Sequence, residues 1–204
     1  MGTTAFAARG QDLALAQRAA DGDRQAQREL FQQLKNAVHH TLYRILGANR
    51  DIEDLVQDAF LEIFRALHSF RGDSSLSRWC QTIATRTAYL AIERRKPVAV
   101  DLEVVENEVI DRDPDAHRVA LARQAAKRLY AALDKLDPKM RVAFALAVID
   151  GMPLNEVATL TESSLVATKT RVWRARRELM KRAQKDPVLA SYLADLGAGV
   201  GGEE

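Results

Sequence analysis

The chain has 204 residues, is 47% hydrophobic and 28% charged, and carries a net charge of +2. At roughly 100–200 residues per domain this suits one large or two small domains, and the apolar share excludes a disordered chain. The single cysteine (Cys80) excludes an internal disulfide, and the four histidines (His39, His40, His68, His117) lack metal-ligand spacing; with no apolar run of about 18 residues and no signal peptide, the sequence points to a cytoplasmic protein without cofactors.

Helical periodicity dominates, and the one short strand-like stretch, residues 98–105, is acidic. A first helix covers residues 11–20 and is closed by Asp21-Gly22-Asp23. Asp23 is placed to cap a second helix, whose apolar line runs Leu30, Leu34, Val38, Leu42 and Ile45 and ends at Gly47. A third helix covers residues 51–67, capped by Asp51, with Ile52, Leu55, Val56, Ala59, Ile63 and Leu67 on its apolar line. A polar loop follows, and Ser74 or Ser75 caps a fourth helix. That helix turns Leu76, Trp79, Cys80, Ile83, Ala84 and Thr87 inward and Arg78, Gln81, Thr82, Thr85, Arg86 and Tyr89 outward. It ends before Pro97, because a residue preceding proline disfavours the helical region.

Charge is segregated beneath the small net value. Asp101, Glu103, Glu106, Glu108, Asp111, Asp113 and Asp115 form an acidic linker. Helix resumes near Asp115, with Val119, Ala126, Leu129, Tyr130 and Leu133 inward. Asp137-Pro138 is a helix start, with Asp as cap and Pro at the first position, and Gly151 ends that helix. A short helix over residues 154–160, a turn at Thr161-Glu162-Ser163, and a long basic helix capped by Ser164 read as helix-turn-helix. The second helix carries Lys169, Arg171, Arg174, Arg176, Arg177, Lys181, Arg182 and Lys185 against the lone acid Glu178, a bias that favours nucleic acid over a solvated face. In such a unit the second helix lies in the major groove. Leu165, Val172, Ala175 and Leu179 are expected in the domain core, and Ser164, Val166, Ala167, Lys169, Thr170, Arg171 and Arg174 toward DNA. Asp186-Pro187 opens a short amphipathic tail helix stopped by Gly197, with residues 199–204 expected to be disordered.

The segments DIEDLVQDAFLEIFRALHSFRGDSSLSRW and LDPKMRVAFALAVIDGMPLNEVATLTESSLVATKTRVWRARREL resemble the extracytoplasmic-function group of sigma factors. The resemblance covers roughly residues 10–96 and 116–184, in family order and spacing. It implies an all-α chain of two small helical domains joined by an acidic flexible linker, the C-terminal one a helix-turn-helix. The expected units are residues 10–96, a linker at 97–115, the helix-turn-helix domain at 116–185 and the tail at 186–204. The resemblance further implies that Asp54, Gln57, Asp58, Leu61, Glu62 and Arg65 dock on the clamp helices of the RNA polymerase largest subunit. It implies that the loop Phe70, Arg71, Gly72, Asp73, Ser74, Ser75, with Arg78, Gln81, Thr82, Thr85 and Arg86, reads the −10 element and captures a flipped base. Such extrusion costs a few kcal/mol, which stacking and hydrogen bonds must offset. The basic helix implies a −35 reader, the acidic linker an RNA-like strand drawn into polymerase channels, and an anti-sigma protein is an expected partner.

The chain departs from the family pattern at three places. Thr82 and Thr85 stand where arginines are usual and Arg86 sits one position late; Glu162 replaces the usual turn glycine; and Pro153 replaces a serine cap. Val166 and Ala167 cannot hydrogen-bond bases but can touch a thymine methyl, so −35 reading is expected to rest on phosphate contacts and the shape of an A-rich tract. Two other functions compete. A stand-alone duplex-binding regulator would need a ligand or phosphoacceptor site that the N-terminal half does not display. An enzyme would need a catalytic constellation, and neither a Ser/His/Asp, a Cys/His nor a paired-carboxylate arrangement stands at suggestive spacing.

Overall fold

Among the described residues, four helices gather into an N-terminal domain and five into a C-terminal one. The computed structural model describes residues 2–48, 51–94 and 114–198, all helix or connecting turn. The acidic stretch, the strand-like residues within it, and residues 199–204 lie outside the described residues. The helices are α1 (Gly2–Ala20), α2 (Arg24–Leu46), α3 (Ile52–Ala66), α4 (Leu76–Arg94), α5 (Pro114–Leu133), α6 (Pro138–Phe144), α7 (Leu154–Leu160), α8 (Leu165–Ala183) and α9 (Pro187–Ala198). The last runs through Gly197, where the sequence suggested a stop; a single glycine costs only about 1 kcal/mol in a helix interior.

Helix α2 is the axis of the N-terminal domain, with α1, α3 and α4 packed around it. Its expected line of Leu30, Leu34, Val38, Leu42 and Ile45 is buried to the last residue. Its start is fixed by Asp23, whose carboxylate accepts from the Gln25 and Ala26 amides. Arg18, near the end of α1, also donates two hydrogen bonds to Asp23 at 2.7 and 3.0 Å. The same residue therefore caps one helix and holds the end of another. Helix α4 is capped twice: the Ser75 hydroxyl accepts from the Arg78 amide, and Asp12 of α1 accepts from the Leu76 amide at 2.8 Å.

In the C-terminal domain α6 and α7 pack on α8, and α9 packs across α5 and α8. Asp137 caps α6 through the Lys139 and Met140 amides. Beyond Phe144 the helix widens into a π turn over Ala145–Ile149, closed by the Asp150 amide donating to the Ala145 carbonyl. Val119, expected inward, is exposed near the start of α5, whereas Leu129 and Leu133 are buried farther along it.

The two domains touch. Helices α2 and α4 meet α6, α7 and the π turn. The expected outward face of α4 is therefore half covered: Thr85 is only 3% exposed, and its hydroxyl finds no hydrogen-bond partner.

Two stability changes follow. Ile63 is fully buried, so Ile63→Ala should cost about 2–5 kcal/mol in a denaturant titration. The hydrogen bond from Arg18 and the capped amides hold the Asp23 carboxyl below its usual range. A depressed folded-state pKa gives stability that is present above the unfolded value and lost as pH falls through the folded one. Asp23→Asn keeps the cap without the charge. Wild type should therefore lose more stability than Asp23→Asn between neutral pH and about pH 3; parallel acid limbs would contradict the assignment.

Candidate nucleic-acid and polymerase interface

The helix-turn-helix is joined by the turn expected at Thr161-Glu162-Ser163, formed here without the usual glycine. At the end of α7 the Ser163 amide donates to the Ala158 carbonyl and the Glu162 amide to the Thr159 carbonyl, the paired bonds of a Schellman motif. That motif places one residue in the left-handed region, usually glycine. Here Glu162 occupies it, at φ +47°. A chain of hydroxyls compensates: Thr161 bonds Ser163 at 2.9 Å, and Ser163 bonds the fully buried Thr168 at 2.8 Å. The turn is thereby tied to the first turn of α8.

Ser164 caps α8 by accepting from the Ala167 amide. Its hydroxyl is spent on the helix, and that of Thr170 donates to the Val166 carbonyl. Val172, Ala175 and Leu179 lie in the core as expected, but Leu165, the first residue of α8, is exposed. Val166 is 75% exposed, Lys169, Thr170 and Arg174 are exposed, and Ala167 and Arg171 are half-buried. The structure adds a residue that the periodicity left undecided. Trp173 is 59% exposed, with the Arg177 guanidinium 5.5 Å from its ring centre, so an aromatic face lies within the basic surface.

On α3, Asp54, Gln57, Asp58, Leu61, Glu62 and Arg65 are all exposed, and Arg65 pairs with Glu62 at 2.6 Å. Leu61, at 49% exposure, does not stand alone. Phe31 of α2 packs against Phe60 with ring centres 4.6 Å apart and planes tilted, and Phe64 lies 6.1 Å from Phe60. Phe31, Lys35, Leu61 and Phe64 line one shallow groove beside the acidic residues. The sequence reading missed Phe31 and Lys35 because they come from a different helix; Phe31 follows the buried Leu30 by one position, off the apolar line of α2, and is exposed.

In the loop before α4, Arg71, Asp73 and Ser75 are exposed, Gly72 takes φ +76° and Ser74 is half-buried. Phe70 is buried, its ring 5.4 Å from that of Trp79, so it anchors the loop rather than offering a stacking surface. Gln81 and Thr82 are half-buried and Arg86 is exposed. Arg78 is engaged with the other domain, its guanidinium 2.9 Å from Glu156 of α7. Among the described residues there is no cluster of groups able to hold a metal ion, and no helix is long and apolar enough to cross a membrane.

Comparison with known proteins decides the class. Residues 30–97 match the sigma-70 region 2 family, and residues 126–179 match sigma-70 region 4. The chain belongs to the sigma-70 family of sigma factors. Within that family it is of the extracytoplasmic-function group. The ECF RNA polymerase sigma-E factor of Escherichia coli (strain K12) is 28% identical over 181 residues, covering 85% of this chain and 94% of the relative. The protein of the same name from Haemophilus influenzae is also 28% identical over 181 residues, covering 85% and 95%. Among solved structures, CnrH in complex with the cytosolic domain of CnrY superposes with a TM-score of 0.57 at 26% identity, covering 86% of this chain and 98% of that one. The protein is therefore a sigma factor acting in transcription initiation, a specificity subunit rather than a catalyst.

The turn makes a specific prediction. A left-handed non-glycine residue costs roughly 1–2 kcal/mol. Glu162→Gly should raise stability by about 0.5–1 kcal/mol in thermal or denaturant unfolding; a loss would mean that the Glu162 side chain contributes more than its backbone costs.

Proposed function

We propose that this sigma factor uses three separate surfaces: the outer face of α3 for the polymerase clamp helices, the loop at residues 70–75 with α4 for the −10 element, and the first turns of α8 for the −35 element. Residues 10–96 form the unit that docks on polymerase and reads the −10 element, residues 116–185 form the −35 unit, and the acidic stretch at 97–115 enters polymerase channels. One observation carries the reading above the others. A single chain presents an acidic and apolar helix face and a cationic helix, each exposed and on different domains. A regulator that binds duplex DNA unaided needs only the second.

The exposed Val166 supports contact with a thymine methyl, and the hydroxyls of Ser164 and Thr170 already serve the helix. Sequence reading at −35 then rests on Lys169, Arg171 and Arg174 holding phosphates and on groove shape. Thr82 and Arg86 remain accessible for the −10 strand, with Arg71 and Asp73 at the loop tip. Polymerase and promoter place the protein in the cytoplasm. An anti-sigma protein is the expected regulatory partner, in keeping with CnrH being held by the cytosolic domain of a second protein. The groove of Phe31, Leu61 and Phe64 offers it apolar anchors.

Run-off transcription with purified core polymerase tests the reading, on a pool of upstream regions from the source genome. Transcripts that need both components are expected, and absence of any, together with failure to co-purify with core, would overturn it. Asp58→Lys combined with Leu61→Ser should weaken binding to core by about tenfold, near 1.4 kcal/mol. Lys169→Ala should instead leave core binding intact and flatten the salt dependence of promoter binding by about one unit of slope.

A further inference from the structure

Four elements converge on one cleft of about 400 Å³, within the roughly 300–1,000 Å³ of small-molecule sites. Helix α4 forms one wall, and α6, the end of α7 with its turn, and α8 form the others. The walls are held in place by contacts outside the cleft. Arg78, one turn before Thr82 on α4, lies 2.9 Å from Glu156 of α7. The hydroxyls of Thr161, Ser163 and Thr168 tie the turn to α8. Small-molecule sites occur preferentially at such meeting points of domains.

The lining of the cleft is cationic. Arg86 comes from α4, Lys139 from α6 and Arg171 from α8, against the one carboxylate of Glu162. Among the described residues, none of the three cations is in an ion pair, with Glu162 or with any other acid. Low-dielectric walls concentrate the field of like charges that face one space. The cleft also holds a donor without an acceptor. Thr85 is 3% exposed, and its hydroxyl has no hydrogen-bond partner. Buried polar groups are almost always paired, so an orphan beside unpaired cations points to a missing acceptor. The remaining lining is apolar: Val142 and Leu160 are buried, and the ring of Tyr89 is half-buried. A small inorganic anion would leave that side unused.

We propose that this cleft is a binding site for a nucleotide carrying two or more phosphates. The phosphates take Arg86, Lys139 and Arg171, Thr85 donates to a phosphate oxygen, and the base lies against Tyr89, Val142 and Leu160. Arginine forks match pairs of phosphate oxygens, and hydrogen bonds to a charged acceptor are the strong ones. Stacking on an aromatic ring is open to any base, so the site selects the phosphates more sharply than the base. Arg86 and Arg171 are also assigned above to promoter DNA. A nucleotide in the cleft occupies one cation of each reader, so nucleotide and promoter exclude each other. That consequence, unlike the binding, rests on the assignment of readers.

Calorimetric titration of the full free chain with ADP, GDP, adenosine and pyrophosphate tests the site. Both nucleotides should bind saturably, one per chain, and adenosine should not bind. Pyrophosphate should bind about tenfold more weakly than ADP, because it has no base to stack. Arg86→Ala and Arg171→Ala should each weaken ADP binding by about tenfold or more. Thr85→Val keeps the branched shape and removes the hydroxyl. It should weaken ADP binding by about tenfold while the unfolding temperature holds or rises, since no hydrogen bond within the protein is lost. Lys181→Ala, exposed on α8 but outside the cleft, should leave ADP binding unchanged. A loss with Lys181→Ala equal to that with Arg171→Ala would mean diffuse attraction to α8 and overturn the site. So would Thr85→Val binding like wild type, or no saturation up to about 1 mM nucleotide. Pyrophosphate binding as tightly as ADP overturns the nucleotide class. Core polymerase with a promoter fragment should release bound ADP, and retention at unchanged affinity overturns the exclusion. The titration uses neither DNA nor polymerase, so it stands or falls separately from the run-off experiment.

Discussion

A positive charge with nowhere else to go organises this molecule. Arg141 lies in the middle of the C-terminal domain's core segment, among Val142, Ala143 and Phe144, and is as buried as they are. Its guanidinium brings five donors that must find acceptors. Asp134 supplies one side, and the other side is met by carbonyls at the end of α2, across the chain. One residue thus satisfies a helix end in the first domain and a buried charge in the second. Gly47, the ring of Tyr130 and Asp150, which follows the π turn, meet at the same helix end.

The consequence for function is a division of surfaces. The contact covers the inner side of α4 and leaves α3 and most of α8 open. On the proposed assignment of surfaces, polymerase docking and −35 contact use faces that this contact leaves open. The proposed −10 surface is the one that the second domain partly covers, with Thr85 buried and Arg78 held by Glu156.

Most of the secondary structure was legible in the sequence because its signals are local. Asp23, Asp137 and Ser164 cap helices where their spacing said they would, and the buried line of α2 is the one its periodicity gave. The helix-turn-helix and its basic face were legible for the same reason. What could not be read was set by distant partners. Phe70 looked like a loop residue and is a core anchor, because Trp79 comes round to meet it. Thr85 looked outward along α4 and is buried, because the second domain lies there. Asp12 caps a helix 64 positions away, and Phe31 joins the groove beside Leu61 from another helix. Leu165 and Val119 fit an apolar line but are exposed, each within the first turns of its helix. Periodicity identifies a face; it does not say what that face meets.

The central claim is that one chain reads two promoter segments, one from each domain. Site-specific photo-crosslinking within the initiation complex addresses it most directly, with the crosslinker at Arg86 on α4 or at Lys169 on α8. The account predicts adducts on two distinct DNA segments about 25 base pairs apart, with the Arg86 adduct on the strand that opens. Adducts from both positions on the same segment, or an Arg86 probe that reacts only with closed duplex, would contradict it.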